Sequence, residues 1–251
     1  MVFAFTNQKG GVGKTTSAIN IGVYLAKSGQ KVLLVDLDPQ ANLTSGIGFK
    51  KSKQQRSIYN LIANKANAPT NFYKTKIENL CIIPSGIELA GAEIELVGAI
   101  SRETILRQIL AKIRNNFDYI LIDCAPSLGL LTINALTAAD YVLIPVQCEY
   151  FALEGLGQLI NTVKLVKKNL NPTLLIGGVI LTMYDTRTKL SREVAEEVKK
   201  YFKSKVFETV VPRNVSLSEA PSHGKPIEIY APDSKGAKAY ESLAKEIINL
   251  N

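Results

Sequence analysis

An α/β fold, with one central, mostly parallel twisted sheet flanked by helices, is what this sequence predicts, and three observations carry the prediction. Strand-like runs recur with helix-patterned segments between them: Val2 to Thr6, Lys31 to Asp36, Leu80 to Pro84, Tyr119 to Asp123, Tyr141 to Val146 and Leu174 to Leu181. Alternation of this kind builds βαβ units, whose strands lie parallel. Several runs, KVLLVD and YILID among them, are almost continuously apolar, as strands covered by helices on both faces must be. Finally, 251 residues with 46% hydrophobic and 21% charged content can bury a substantial core at the upper end of one domain's size, so 1–251 reads as a single domain.

The first run leads into a glycine-rich loop. The first helix starts at Gly13-Lys14-Thr15, carries Ile19, Val23 and Ala26 at helical spacing, and stops at Gly29, which suits a left-handed C-terminal cap. From Gly46 to Lys76 the chain turns polar and lysine-rich, interrupted by the helix-like SIYNLIAN, and reads as an elaborated surface insertion. The stretch from Pro212 to Asp233 holds four of the ten prolines, which predicts irregular backbone there. A terminal helix, Ser234 to Leu250, follows; Tyr240, Leu243, Ala244 and Ile247 share one face, so it should dock on the core.

Composition narrows the function classes. No apolar run approaches the roughly 18 to 20 residues that span a bilayer, and the opening VFAFTN runs straight into the glycine-rich loop where a signal peptide would place its cleavage site. The expected location is the cytoplasm, with no membrane partner. Cys81, Cys124 and Cys148 stand far apart, two of them in or beside apolar runs, so they form neither a disulfide framework nor C-x-x-C metal spacing. A formal net charge of +8 favours a polyanionic partner, because Lys and Arg that neutralise phosphates release condensed counterions. Charge alone does not separate nucleic-acid binding from ordinary basicity.

The chemistry concentrates in Lys9-Gly10-Gly11-Val12-Gly13-Lys14-Thr15-Thr16, which follows a strand and opens a helix. Glycines let backbone N–H groups curl around phosphate oxygens, and the helix N-terminus adds positive potential. Lys14 is placed to reach the β- and γ-phosphates, and the Thr15 hydroxyl to ligand Mg2+. A plain tight turn would not require Lys-Thr-Thr after its last glycine, so the segment predicts a P-loop NTPase. Asp36 and Asp38 stand where the second strand ends, on the sheet edge that faces the nucleotide in such folds. Asp36 either closes the strand or supports the metal shell. Phe117 to Asp123 is an apolar strand ending in an acid, as a Walker B segment requires, and Asp123 is expected to hold Mg2+ through a water.

The common P-loop pattern begins with a glycine where this chain has Gln8. The form present, K-G-G-x-G-K-T-T, resembles the deviant Walker A of the group that includes ParA, MinD and the nitrogenase iron protein. Within that group a cluster-bridging iron protein would need a second cysteine segment to match Cys124, and a MinD-like membrane cycle would need a basic amphipathic tail beyond the core; neither is apparent. The chain instead resembles the ParA/Soj family of DNA-partitioning ATPases over nearly its whole length. The shared segments are D-L-D-P-Q-A-N, I-L-I-D-C-A-P-S, I-P-V-Q-C-E-Y-F-A-L-E-G, P-R-N-V, L-S-E-A-P-S and G-K-P-I.

That resemblance implies an ATP- and Mg2+-dependent hydrolase acting as a homodimer. Lys9 would reach across the dimer to the partner's phosphates, as an arginine finger does, so Lys9, Lys14 and Asp38 form the expected catalytic set. Asp38 would orient the attacking water, and Cys124 to Ser127 would act as switch II. Pro212 and Asn214 would contact the adenine, an amide offering both a donor and an acceptor. Arg187, helped by Lys189 and Arg192, would touch the phosphates of non-specific double-stranded DNA, although a position often basic in relatives is Ser216 here. A ParB-like centromere-binding protein would stimulate hydrolysis, and the cytoplasmic protein would associate with the nucleoid. No additional N-terminal DNA-reading domain is expected. The competing expectations are an ATPase that positions a protein cargo and, more remotely, a metabolic ligase or metal-cluster carrier on the same fold.

Overall fold

The computed structural model describes residues 1–52, 54–63, 71–149 and 155–250. Strands β1 (Val2–Phe5), β2 (Val32–Leu37), β3 (Tyr73–Lys74), β4 (Leu80–Ile83), β5 (Tyr119–Cys124), β6 (Tyr141–Gln147) and β7 (Leu175–Thr182) form a sheet in the order β3-β4-β2-β5-β1-β6-β7. Every pairing is parallel except the short β3–β4 pair at the edge. The six runs expected from sequence are all strands, with ends within one residue of expectation. Helices complete the layers: α1 (Lys14–Lys27), α2 (Asn42–Gly46), α3 (Ile58–Ala63), α4 (Leu89–Leu96), α5 (Ile105–Ala111), α6 (Leu130–Ala138), α7 (Leu156–Asn169), α8 (Lys189–Phe202), α9 (Val215–Glu219), α10 (Ile227–Tyr230) and α11 (Lys235–Ile248).

Alternation along the strands divides the core in two. Leu33, Val35 and Leu37 of β2 and Ile120 and Ile122 of β5 face α3 to α8, whereas Val32, Leu34, Tyr119 and Leu121 face α1 and α11. Both faces are apolar, which is why these strands read as continuous hydrophobic runs. Helix α1 lies close to the sheet because position 22 is glycine; a Cβ there would come within 2.8 Å of Leu34 Cδ2. It ends as expected, with Gly29 in the left-handed region at φ 86°. Helix α11 begins at Ser234, whose side chain accepts a hydrogen bond from the Ala237 N–H. Tyr240, Leu243, Ala244 and Ile247 are buried, as their spacing predicts.

Two expectations are corrected. The segment 46–76 is not wholly a surface insertion: Ile58, Leu61 and Ile62 of α3 are fully buried in the core, and the segment also supplies β3. The last residue of SIYNLIAN lies outside the described residues. The Pro212 to Asp233 stretch is not irregular throughout, because it holds α9, a 3-10 turn (Ala220–His223) and α10. Short helices leave no periodicity to read, and proline at their starts is compatible with helix. Cys124 and Cys148 are buried and Cys81 is partly buried, all as free thiols. No helix among the described residues is long and apolar enough to cross a membrane.

Candidate active site

The C-terminal ends of β1, β2 and β5 converge beneath the glycine-rich loop. Side chains alternate along a strand, so Asp36 on β2 and Asp123 on β5 share the α1 face with Leu34 and Leu121, and the register places them side by side. Both are fully buried, yet their surroundings differ. Asp36 Oδ2 accepts from the Thr44 backbone N–H at 2.8 Å and the Thr44 hydroxyl at 2.6 Å, and Oδ1 accepts from the Asp38 N–H at 3.2 Å. Burial lifts its carboxyl to about 6, with the Thr44 bonds pulling the other way. These contacts commit Asp36 to holding the backbone that follows β2.

Asp123 has no such support. Neither of its buried oxygens has a hydrogen-bond partner among the described residues. Burial, and then the neighbouring Asp36 charge, push its pKa well above the usual carboxylate range; the Thr15 hydroxyl and the Lys14 ammonium pull it down without closing a well-directed bond. A buried carboxylate without a partner is costly and calls for a cation. The residues therefore fit a divalent metal: Asp123 and Thr15 supply hard oxygens at one place. Mg2+ usually completes its shell with water and substrate phosphates, so two such protein oxygens are enough for it.

The loop itself is shaped by Gly11 and Gly13, at φ 72° and 88°, a region costly for any side chain. Two distant residues brace it. The Thr182 hydroxyl at the end of β7 donates to the Val12 carbonyl at 2.9 Å. Asn7 donates through Nδ2 to the Pro145 carbonyl on β6 at 2.8 Å and accepts the Lys9 N–H at 3.1 Å. Lys14 is buried, and its Nζ donates to the Lys9 carbonyl across the loop at 3.1 Å. Burial lowers its pKa, opposed chiefly by Asp123.

A cavity of about 530 Å3 opens over this floor, lined by Gly10, Gly11, Gly13, Lys14, Thr15, Thr16, Asp38 and Pro126, with Asn42 and Ser45 of α2 and Pro221 and Ser222 of the 3-10 turn. The Asp38 carboxylate, which accepts the Gln40 N–H at 2.9 Å, is buried at its edge. A second cavity of about 230 Å3 continues from it past Gly13, Thr16 and Met183, bounded by Val211, Pro212, Asn214, Leu217 and Tyr240. The glycine-rich loop, Lys14 and Asp38 face the first cavity, while Val211, Pro212, Leu217 and Tyr240 wall the second beside Asn214, the form of a phosphate pocket joined to a base pocket. Asn214 is partly committed already: its side-chain oxygen caps α9 by accepting the Leu217 N–H at 3.3 Å, which leaves the amide NH2 as its donor toward the second cavity.

Lys9 does not line the cavity that its own loop builds. It borders a separate groove of about 660 Å3 with Cys148, Glu149, Asp185, Arg187 and Arg213. Arg187 is highly exposed, and its guanidinium grips Asp185 at 2.9 and 2.7 Å. Lys189 pairs with Glu193 one turn along α8, and Arg192 is exposed beside it. Ser216 lies in α9, away from α8 in the chain. Residues 150–154 of the I-P-V-Q-C-E-Y-F-A-L-E-G segment lie outside the described residues. Sequence reasoning missed Asn7, Thr44, Thr182 and Met183; of these only Met183, at φ 52°, departs from ordinary backbone, and that is invisible in a sequence.

A family model described as an AAA domain matches residues 1–176. The chain is 60% identical over 246 residues to the sporulation initiation inhibitor protein Soj of Bacillus subtilis, covering 98% of this chain and 97% of that protein. It is 56% identical over 244 residues to the chromosome-partitioning ATPase Soj of Treponema pallidum, covering 97% and 95%. Among solved structures, cobyrinic acid a,c-diamide synthase from Mycobacterium smegmatis with bound ADP and magnesium is similar at a TM-score of 0.85 and 38% identity, over 99% of this chain and 94% of that one. Identity at this level across nearly the full length of both chains, together with a loop, strand-end acids and paired cavities arranged for a nucleoside triphosphate, places this chain in the ParA/Soj family of chromosome-partitioning ATPases.

Proposed function

We propose that the chain is a single-domain, Mg2+-dependent ATPase that closes into a nucleotide-sandwich dimer, binds DNA non-specifically in that state, and serves chromosome or plasmid segregation. The observation that carries the reading is Asp123, an unpartnered buried carboxylate beneath a loop whose lysine and glycines face a phosphate-sized cavity. Asp123 and Thr15 would hold the Mg2+, which supplies charge neutralisation on the phosphates. The loop N–H groups and Lys14 orient the triphosphate. Asp38, at the rim of the same cavity, holds the attacking water in line and takes up its proton. Pro212 and Asn214 bound the base pocket, the Asn214 amide donating to the ring.

Lys9 supports the dimer part of the reading. Because its side chain borders the neighbouring groove rather than its own phosphate cavity, its ammonium is free to complete a second copy's site, which ties the closed state to intact ATP. Arg187, Lys189 and Arg192 would then form the DNA-facing patch, positioning the protein without reading sequence. A ParB-like centromere-binding partner would trigger hydrolysis and release, and the protein would sit on the nucleoid in the cytoplasm.

The test combines sedimentation with turnover. The parent should dimerise with ATP and Mg2+ but not with ADP, Lys14→Ala should lose closure, Asp38→Ala should dimerise with little hydrolysis, and Lys9→Ala should fail to pair. Salt-sensitive co-sedimentation with random-sequence DNA should require ATP. A Lys9→Ala protein that pairs and hydrolyses normally sinks the proposal. ATP-dependent dimers that ignore DNA would turn the reading toward protein-cargo positioning.

A further inference from the structure

At the edge of the sheet opposite the nucleotide site, a cavity of about 590 Å3 opens beside the N-terminal ends of β2, β4 and β5. The six residues of β2 separate it from Asp38, about 20 Å along the strand. Part of its lining is apolar. The Phe72 and Phe117 rings meet edge to face with centroids 5.0 Å apart, and the buried Leu80 lies with them. The rest is basic: Lys31, Lys74 and Lys76 are exposed around the opening, and none has an ion-pair partner among the described residues.

The walls of this cavity are tied in place. The turn from β3 to β4 is closed by the Thr75 N–H, which donates to the Leu80 carbonyl at 3.0 Å, while the Thr75 hydroxyl accepts the Ile77 N–H at 3.1 Å. Across from it, the Lys31 N–H donates to Asp118 Oδ2 at 2.7 Å and the Lys31 carbonyl accepts the Asp118 N–H at 2.8 Å. Lys74 stands opposite Cys81 in the β3–β4 pair, so their side chains share a face. Burial pushes the Cys81 thiol up and the Lys74 ammonium pulls it down, so that charge is felt at a half-buried atom of the cavity wall.

We propose that this cavity binds a small aromatic carboxylate, its ring against Phe72 and Phe117 and its carboxylate among Lys31, Lys74 and Lys76. The volume lies within the range of small-molecule sites, and an apolar lining with a few charged groups is their usual make-up. Aromatic pairs favour such edge-to-face and offset contacts with a third ring. A polyphosphate fits less well. Phosphate sites use backbone N–H groups or a helix N-terminus, whereas the N–H groups of Thr75, Ile77 and Leu80 are already committed within the turn and Glu78 adds a like charge at the opening. A bound peptide strand also fits less well, because β3 offers an edge of only two residues. The site is independent of the ATP cycle proposed above, so a protein that never pairs on ATP would leave it standing.

Titration of the nucleotide-free protein with 2-naphthoate, followed by amide NMR and by the rate of Cys81 alkylation, tests this. Naphthoate should shift the signals of residues 72–81 and 116–117 and slow alkylation of Cys81, the least buried of the three thiols. The neutral analogue naphthalene-2-methanol should bind about fivefold more weakly, as should naphthoate to the protein carrying Lys74→Gln and Lys76→Gln, and the difference should shrink in high salt. Both lysines are exposed, so the melting temperature of that variant and its ATP hydrolysis should match the parent's. Naphthoate that shifts signals only elsewhere, or an alcohol that binds equally well, overturns the proposal. An acidic peptide such as Glu-Asp-Phe-Glu-Asp that occupies the cavity at lower concentration than naphthoate makes it a protein-docking surface and also overturns it. Should the lysine variant melt differently, the comparison of acid with alcohol on the parent decides alone.

Discussion

Gly48 and Gly224 meet backbone to backbone, and replacing Gly48 with alanine should cost far more than a surface glycine normally does. Its φ is 73°, and a Cβ there would stand 2.3 Å from the Gly224 carbonyl oxygen, an atom that cannot rotate away. The left-handed conformation costs alanine about 1 kcal/mol. Forcing the two segments apart adds about 1 to 3 kcal/mol, and the stiffer unfolded chain returns about 0.4 to 1 kcal/mol. The net loss is about 1 to 4 kcal/mol, roughly 5 to 15 °C in Tm at the upper half of that range for a chain of this size. Gly29→Ala is the matched control, because φ there is 86° with nothing within 4 Å of the new Cβ, so only the conformational cost applies. Thermal melts of both variants separate clash from strain. The contact also presses the end of α2 against the turn carrying Pro221 and Ser222, both of which line the phosphate cavity with Ser45, so Gly48→Ala should weaken ATP binding and Gly29→Ala should not. Equal melting temperatures with unchanged ATP affinity would refute the reasoning.

Asp123→Asn should abolish the extra thermal stabilisation that Mg2+ adds to ATP while leaving the nucleotide-free protein at least as stable as the parent, because the unpartnered carboxylate is gone; a full Mg2+-dependent shift in this variant would count against the metal assignment. Asn214→Ala should lose about 1 kcal/mol from the α9 cap together with ATP affinity, whereas Asn214→Asp keeps the cap oxygen and should lose affinity alone, as paired melts and nucleotide titrations will tell. Burial pushes the Asp36 carboxyl up to about 6 in the folded protein, from its ordinary value of 3.8. Its folded pKa is raised, so the stability that it contributes is fully present below about pH 3.8 and is lost as pH rises through about 6. Melting curves of Asp36→Asn across that window should lose this part of the slope, and an unchanged slope would show that the carboxyl is not perturbed.

The strands and the glycine-rich loop could be read from the sequence because each is encoded locally. A run such as YILID is apolar at every position since helices cover it on both sides, and the loop's glycines are needed at fixed φ values. The position of Asp123 was legible for the same reason: a carboxylate ending such a run is carried to the C-terminal edge of the sheet, beneath the loop. What escaped were elements defined by distance or brevity. Strand β3 has two residues, and α9 and α10 are too short to show a period. Helix α3 looked like surface because its neighbours are polar, although its own Ile58, Leu61 and Ile62 reach the core.

The least legible part of the site is what makes the loop stiff. Thr182 reaches Val12 across 170 positions and Asn7 reaches Pro145 across 138, and no pattern in a single sequence joins residues so far apart. Yet the strand order demands such links. With β1 between β5 and β6, and β7 beyond β6, the loop leaving β1 has strand ends on both sides. On one side β5 supplies Asp123, the unpartnered carboxylate; on the other β6 and β7 supply a carbonyl and a hydroxyl that bond to the P-loop segment. In the proposed function, charge for the metal and restraint for the loop backbone would therefore come from opposite halves of the sheet. A change at Thr182 should accordingly loosen phosphate binding without touching the metal oxygens: Thr182→Val removes one buried hydrogen bond, worth about 1 kcal/mol or somewhat more because Val12 O is left unpaired. ATP affinity should fall several-fold while the Mg2+ dependence of whatever binding remains is preserved. If Thr182→Val altered the metal requirement and spared the affinity, this division of labour across the sheet would be wrong.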